Sequence, residues 1–184
     1  MRSKWLVLSF ALFAVTVFIG NNINEHPDRA ISVPMHNANG EHIGVIVIQP
    51  VTHGRNLITV NLNGLTQGFH GFHIHETGLC EVNDEGVFVT ANGHFEMDNA
   101  NHGEHSGDLP VLEADESGHA FLAVHTARFH FNDLADDDGS AFIVHENSDN
   151  FANIPERYGE MDEITLANGD SGARIACGVI HPPK

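Results

Sequence analysis

Basic residues are scarce in this chain of 184 residues. Eight lysines and arginines stand against 25 aspartates and glutamates, a formal net charge of -17. That balance argues against nucleic acid or anionic lipid as partners. It also means that any anionic substrate would need a locally positive field at its site. Long amphipathic helical patterns are missing, which argues against a helical fold. Cysteine is nearly absent, with Cys80 and Cys177 the only two. An exported protein would tend to pair them, whereas a cytosolic one would keep two thiols.

What the chain does have is glycine, histidine and short β-branched runs. Its length suits one domain with a real core. The 18 glycines and the short runs favour an all-β fold. At the start, Arg2 and Lys4 precede an apolar run from Trp5 to Ile19, a positive segment followed by a stretch slightly short for a membrane span. Residues 1–20 therefore read as an export signal. No cysteine follows the run, which argues against a lipid-anchored lipoprotein. Gly20 is small but Phe18 sits two residues before it, so a cleaved signal peptide and a retained N-terminal membrane anchor both stand as readings. Residues 21–29 are polar and read as a linker, and 30–184 as one domain.

Within that domain, strands are expected at Ala30–His36, Glu41–Val51, Arg55–Leu62, Gln67–Glu76, Leu109–Ala114, His119–Ala127, Ala141–His145 and Ala173–Ile180. Turns are expected at Asn39-Gly40, Asn63-Gly64, Asp115–Gly118 and Asp136–Gly139. Two long polar stretches, Thr77–Asp108 and Glu146–Gly172, lack periodicity, and loops of that length are usually functional or disordered. The pattern predicts an all-β, eight-stranded Greek-key β-barrel or sandwich with two long functional loops.

Fifteen histidines are a strong excess for this length. His73 and His75 lie two apart on an expected strand, so they share one face while Phe72 and Ile74 take the other. His94, His102, His105 and Asp108 fall within fifteen residues, among glycines that allow a loop to converge on one point. With His145 these are the candidate metal ligands. A nitrogen-rich, roughly planar set suits copper(II), and three histidines with one aspartate in a tetrahedron suit zinc.

At these residues the sequence resembles the copper,zinc superoxide dismutases. The family's HGFHxHE motif stands as His70-Gly71-Phe72-His73-Ile74-His75-Glu76, its GHF element as Gly93-His94-Phe95, and its HxGDL element as His105-Ser106-Gly107-Asp108-Leu109. Val144-His145-Glu146 with Asp149, and the closing run from Gly172 through Arg174 and Cys177 to Ile180, complete the set. The resemblance covers about Ala30 to Ile180. The segment Asn150 to Tyr158 looks like a bacterial branch of the family.

The resemblance implies superoxide as substrate and copper and zinc as cofactors. It implies a copper site of His73, His75, His94 and His145, and a zinc site of His94, His102, His105 and Asp108, with His94 as a bridging imidazolate. It implies that Asp149 joins ligand histidines of the two sites, that Arg174 lies at the copper channel, and that Cys80 and Cys177 form an intrachain disulfide. The two long stretches become a metal-binding loop and an electrostatic loop. The expected location is periplasmic, extracellular or cell-surface anchored, as monomer or homodimer, with contact to membrane only through an uncleaved N-terminal anchor. Two departures fall in the zinc loop. Only two residues separate His102 from His105, and Glu96-Met97-Asp98 follows Phe95 where the family often has Asn-Pro. Both bear on zinc occupancy rather than copper. His70 reads as a structural histidine bonded to backbone, and His26, His36, His42, His53, His119, His130 and His181 as surface residues. A non-enzymatic copper-binding or copper-delivery protein on the same scaffold is the alternative function.

Overall fold

Alternating burial builds the main sheet. The computed structural model describes residues 30–181, so the expected signal or anchor over 1–20 and the linker over 21–29 lie outside the described residues. In chain order the strands are β1 (Ile31–Asn37), β2 (His42–Pro50), β3 (Asn56–Leu62), β4 (Gly68–His70), β5 (Phe72–His75), β6 (Val82–Asn83), β7 (Gly86–Val87), β8 (Leu112–Ala114), β9 (Ala120–Thr126), β10 (Ser140–His145) and β11 (Arg174–Ile180). Ile31, Val33 and Met35 of β1 point inward while Ser32 and Pro34 face solvent, and Ile58, Val60 and Leu62 of β3, on the other side of β2, are buried in the same alternation.

Nine strands pair in the order β4-β8-β9-β3-β2-β1-β11-β10-β5. The two ends of that order are separated in sequence by Gly71 alone, so one chain pass contributes both ends and the sheet closes on itself. The connections β3 to β4 and β9 to β10 skip neighbours, which is the Greek-key pattern. The expected eight strands are therefore eight passes, with the fourth divided. Its division has a steric cause. A Cβ at Gly71 would lie 2.6 Å from the Ser171 side chain and 3.2 Å from the His73 ring. Only glycine lets the chain pass so close to the second long loop.

Inside the barrel, Phe72 and Phe142 stack with ring centroids 5.5 Å apart amid the buried isoleucines, valines and leucines of every long strand. A second, smaller cluster lies on the outer face. There Ile143 and Cys177 pack beneath Phe88 and Ala91 of the first long loop. All six residues of β10 and all four of β5 are consequently buried, covered by core on one side and by loops on the other.

Neither long loop is structureless. The first contains the β6–β7 hairpin, and the second contains a helix, α1 (Glu163–Asn168). Strands of two residues have no legible period. The helix does carry signals: Asp162 accepts from the backbone N–H of Ile164 and Thr165, and Gly169 closes it in a left-handed conformation at φ 60°.

Candidate metal centre

The outer face of β5 and β10 gathers the histidines. Ile74 and Phe72 point into the core, so His73 and His75 point out under the loops. β10 runs antiparallel to β5, with His73 opposite Ile143 and His75 opposite Ala141. The same alternation along β10 carries His145 to that outer face. The first loop returns along the free edge of β5, where His94 bridges to His75 and Asp108 to His73. The Ile74 backbone secures both returns, donating to Gly107 and accepting from Phe95.

Ligand atoms of His73, His75, His94 and His145 lie within 4.8 Å of one another, and all four residues are buried. A second group within the same limit is His73, His94, His102 and Asp108. His105 lies outside that group, but its Nδ1 is 3.4 Å from Oδ1 of Asp108. The same oxygen is 2.9 Å from His94 Nδ1 and 3.3 Å from His102 Nδ1. Three imidazoles thus converge on one carboxylate oxygen.

Hydrogen bonds decide which nitrogen each ring leaves free. His75 Nδ1 donates to the Asn92 carbonyl at 2.8 Å and His145 Nδ1 to the Gly172 carbonyl at 3.1 Å, leaving the two Nε2 atoms 3.4 Å apart. His73 Nε2 donates to Asp149 Oδ2, and His102 Nε2 donates to Asp149 Oδ1, each at 2.7 Å. Asp149 therefore ties a ring of the first group to a ring of the second. Buried atoms with no hydrogen-bond partner include His73 Nδ1, His94 Nε2, His102 Nδ1 and His105 Nδ1. Buried polar atoms are nearly always paired, so four orphans in one place ask for a ligand.

The charge states of His73, His75, His94 and His145 suit metal binding. Burial, reinforced by the neighbouring imidazoles, lowers His94 to about 4 and His145 to about 3. Burial also puts His75 well below its ordinary value, and lowers His73 despite the pull of Asp149. Neutral imidazole is the metal-binding form. Burial opposes ionisation of Asp108, yet the His102, His105 and His94 rings gathered around its carboxylate hold it far below the usual carboxylate range. His102 moves the other way: burial disfavours its charge, but Asp108 and Asp149 together raise it to about 9.

Residues 42–180 match the family described as copper/zinc superoxide dismutase. This chain belongs to the copper/zinc superoxide dismutase family. A superoxide dismutase [Cu-Zn] of Mycobacterium tuberculosis is 41% identical over 138 residues, 67% of this chain and 58% of that protein. The chain thus spans less than two thirds of the length of its mycobacterial relatives. The corresponding protein of Brucella abortus is 34% identical over 191 residues, 98% of this chain and all of that one. The solved Cu/Zn superoxide dismutase from Brucella abortus superposes with a TM-score of 0.66 at 30% identity, over 83% of this chain and 99% of its own.

Copper and zinc are the metals of the superoxide dismutase family, and the residues present fit them. The four nitrogens of the first group match a nitrogen-rich copper set, and three imidazoles about one carboxylate oxygen match zinc. Arg174 lies opposite His145 in the β10–β11 pairing and is half buried. Its guanidinium donates to the carbonyls of Phe88 and Asn92. The Asn92 carbonyl also receives His75, so one peptide oxygen aligns an imidazole and the arginine. The disulfide Cys80–Cys177, with Cα atoms 5.7 Å apart, holds this part of the loop against β11. Closing a loop across its sequence separation of 97 residues adds about 4–5 kcal/mol in the chain-entropy account.

His70 also sits where its structural reading put it, with Nδ1 2.7 Å from the His145 carbonyl and Nε2 2.8 Å from the Thr66 carbonyl. Sequence reasoning missed Asn92, whose contribution is a backbone oxygen. The Asn92-Gly93 turn signal just before His94 is the only trace of it in the sequence.

Proposed function

We propose that this protein is a superoxide dismutase, disproportionating superoxide at a copper held by His73, His75, His94 and His145 and joined through His94 to a zinc held by His102, His105 and Asp108. Two superoxide anions and two protons become one dioxygen and one hydrogen peroxide. The observation that carries this reading is His94. His73 and His94 belong to both groups, but His73 Nε2 is taken by Asp149, whereas His94 has Nε2 without a partner and Nδ1 on the Asp108 oxygen where His102 and His105 also converge.

Copper supplies a one-electron couple when bound, and zinc supplies a positive charge on the far side of His94. The protein's residues do the rest. His94 Nε2 takes up a proton in the reduced half of the cycle and gives it up in the oxidised half. His94 Nδ1, which points at Asp108 Oδ1 at 2.9 Å, would be its nitrogen toward the zinc ligands. Arg174 keeps its charge at any working pH and pairs with the incoming anion. Its two backbone acceptors fix the guanidinium beside the copper ligands. In a chain of net charge -17 such a local positive site focuses the field on an anion that the rest of the surface repels. Asp149 fixes His73 and His102 in the tautomers that leave each Nδ1 free.

Residues 30–184 form the catalytic domain, and 1–20 direct it out of the cytoplasm, where the disulfide is stable. A purely copper-carrying protein on this scaffold would not need Arg174 aligned with His75, and no observation favours that reading. The test is metal analysis with a superoxide-consumption assay on the wild type and on His145→Ala, before and after chelation. The wild type should carry copper and zinc and lose activity with its copper. His145→Ala should remain folded, keep zinc and show background activity. Full activity in that variant, with copper bound elsewhere, would sink the assignment.

A further inference from the structure

We propose that Arg128 is a positioning residue for the zinc site, clamping the short loop His102–Asp108 in its ligating shape; this deepens the zinc assignment above and rests on it. The loop offers three ligands in seven residues and has no sheet partner of its own between His102 and Gly107. Backbone bonds to the Leu166 and Phe95 carbonyls anchor its His102 and Gly107 ends, and two residues between them are held on both sides. Oδ2 of Asp108 accepts the backbone N–H of Gly103 at 2.7 Å and that of His105 at 3.0 Å. Arg128 takes the other side of the same two residues, with Nη1 donating to the His105 carbonyl and Nη2 to the Gly103 carbonyl, both at 2.9 Å. Gly103 and His105 are therefore each gripped at N–H by an anion and at C=O by a cation. That arrangement follows the polarity of the peptide groups, so each grip strengthens the other.

Arg128 can clamp because its own base is rigid. Its backbone N–H donates to Oγ1 of Thr126, the last residue of β9, at 3.2 Å. The next carbonyl, Phe129, accepts from the buried Asn56 side chain of β3 at 2.9 Å. The Phe129 ring meets Phe95 edge-on with centroids 6.3 Å apart, and Phe95 follows the bridging His94. One short segment leaving the barrel thus supports the zinc ligands from two directions. The spacing of the two carbonyls matches the two ends of one planar guanidinium, a match that a lysine ammonium cannot reproduce. The short His102–His105 spacing is in this view tolerated because an external arm, rather than loop length, defines the turn.

The test uses the metal-loaded full chain and reads zinc itself. Zinc release to a coloured chelator is timed for wild type, Arg128→Ala, Arg128→Lys, and Arg55→Ala as a control of equal charge change. Cobalt(II) in place of zinc reports the ligand geometry by its visible spectrum. Arg128→Ala should release zinc about ten- to hundredfold faster, shift the cobalt spectrum and leave the copper spectrum intact. Arg128→Lys should restore only part of the difference. Release at the wild-type rate in Arg128→Ala, or equal acceleration in Arg55→Ala, overturns the clamp. Full recovery in Arg128→Lys overturns the role of the guanidinium fork. His105→Ala separates the two layers: if it leaves zinc binding untouched, the zinc assignment itself has failed, and if it abolishes binding while Arg128→Ala releases zinc at the wild-type rate, only the clamp has.

Discussion

The two halves of the metal centre are built by opposite means. His73, His75 and His145 come from adjacent strands of the barrel, and two of the three are oriented by backbone carbonyls. His102, His105 and Asp108 come from seven consecutive residues of one loop and are oriented by charge, through the Asp108 and Asp149 carboxylates. The strand half is fixed by the same hydrogen bonds and core packing that make the barrel, so it is formed before any metal arrives. The loop half depends on the protonation of its own members. The electrostatics reflect this difference: burial keeps the strand histidines neutral, while the loop carboxylates keep His102 charged up to about pH 9.

The largest perturbation of this contrast is Asp149→Ala, because Asp149 alone holds a ring in each half. Affinity for both metals should fall by about ten- to hundredfold, read by competition with chelators. If only zinc weakens, the strand half does not need Asp149 and the two halves are more independent than the geometry implies.

A smaller effect is expected from Arg174→Ala, which leaves both metal sets in place. Turnover should slow by about tenfold or more, and its dependence on ionic strength should flatten. An unchanged rate and salt response would remove electrostatic guidance from the account.

The pH dependence of the metal-free protein separates the halves most gently. His102 is raised to about 9 from an ordinary 6.5, so the folded state holds a proton that the unfolded state has lost between those values. Its contribution to stability is complete below pH 6.5 and disappears as pH rises through 9. His94 and His145 are lowered to about 4 and 3, so below pH 6.5 the unfolded state binds more protons and stability falls as pH falls. Thermal melting of the metal-free chain should therefore peak near pH 6.5, with an acid limb from the strand half and His94 and an alkaline limb from His102. Substituting His102 by glutamine should flatten the alkaline limb. A limb that survives that change has another origin.

How much of this could be read from the sequence follows the same division. Strand alternation alone put His73 and His75 on one face with Phe72 and Ile74 on the other, because a period of two is written directly in the residues. The loop residues His94, His102, His105 and Asp108 have no period, and their crowding among glycines, together with their motifs, drew them together. The break at Gly71 was hidden because it arises from the approach of Ser171, a hundred residues away. Asn92 and Arg128 were hidden for a related reason. One acts through its backbone oxygen and the other on backbone oxygens, so neither needs a recognisable side-chain pattern around it.

The central claim is that His94 joins the halves by binding a metal at each nitrogen. Loading the full chain with copper(II) and with cobalt(II) in place of zinc tests this by electron paramagnetic resonance. If His94 bridges them, the two ions are magnetically coupled and the copper signal of the copper-only protein collapses when cobalt is added. A copper signal that persists unchanged beside an independent cobalt signal would mean that the metals do not share His94, and would contradict the account.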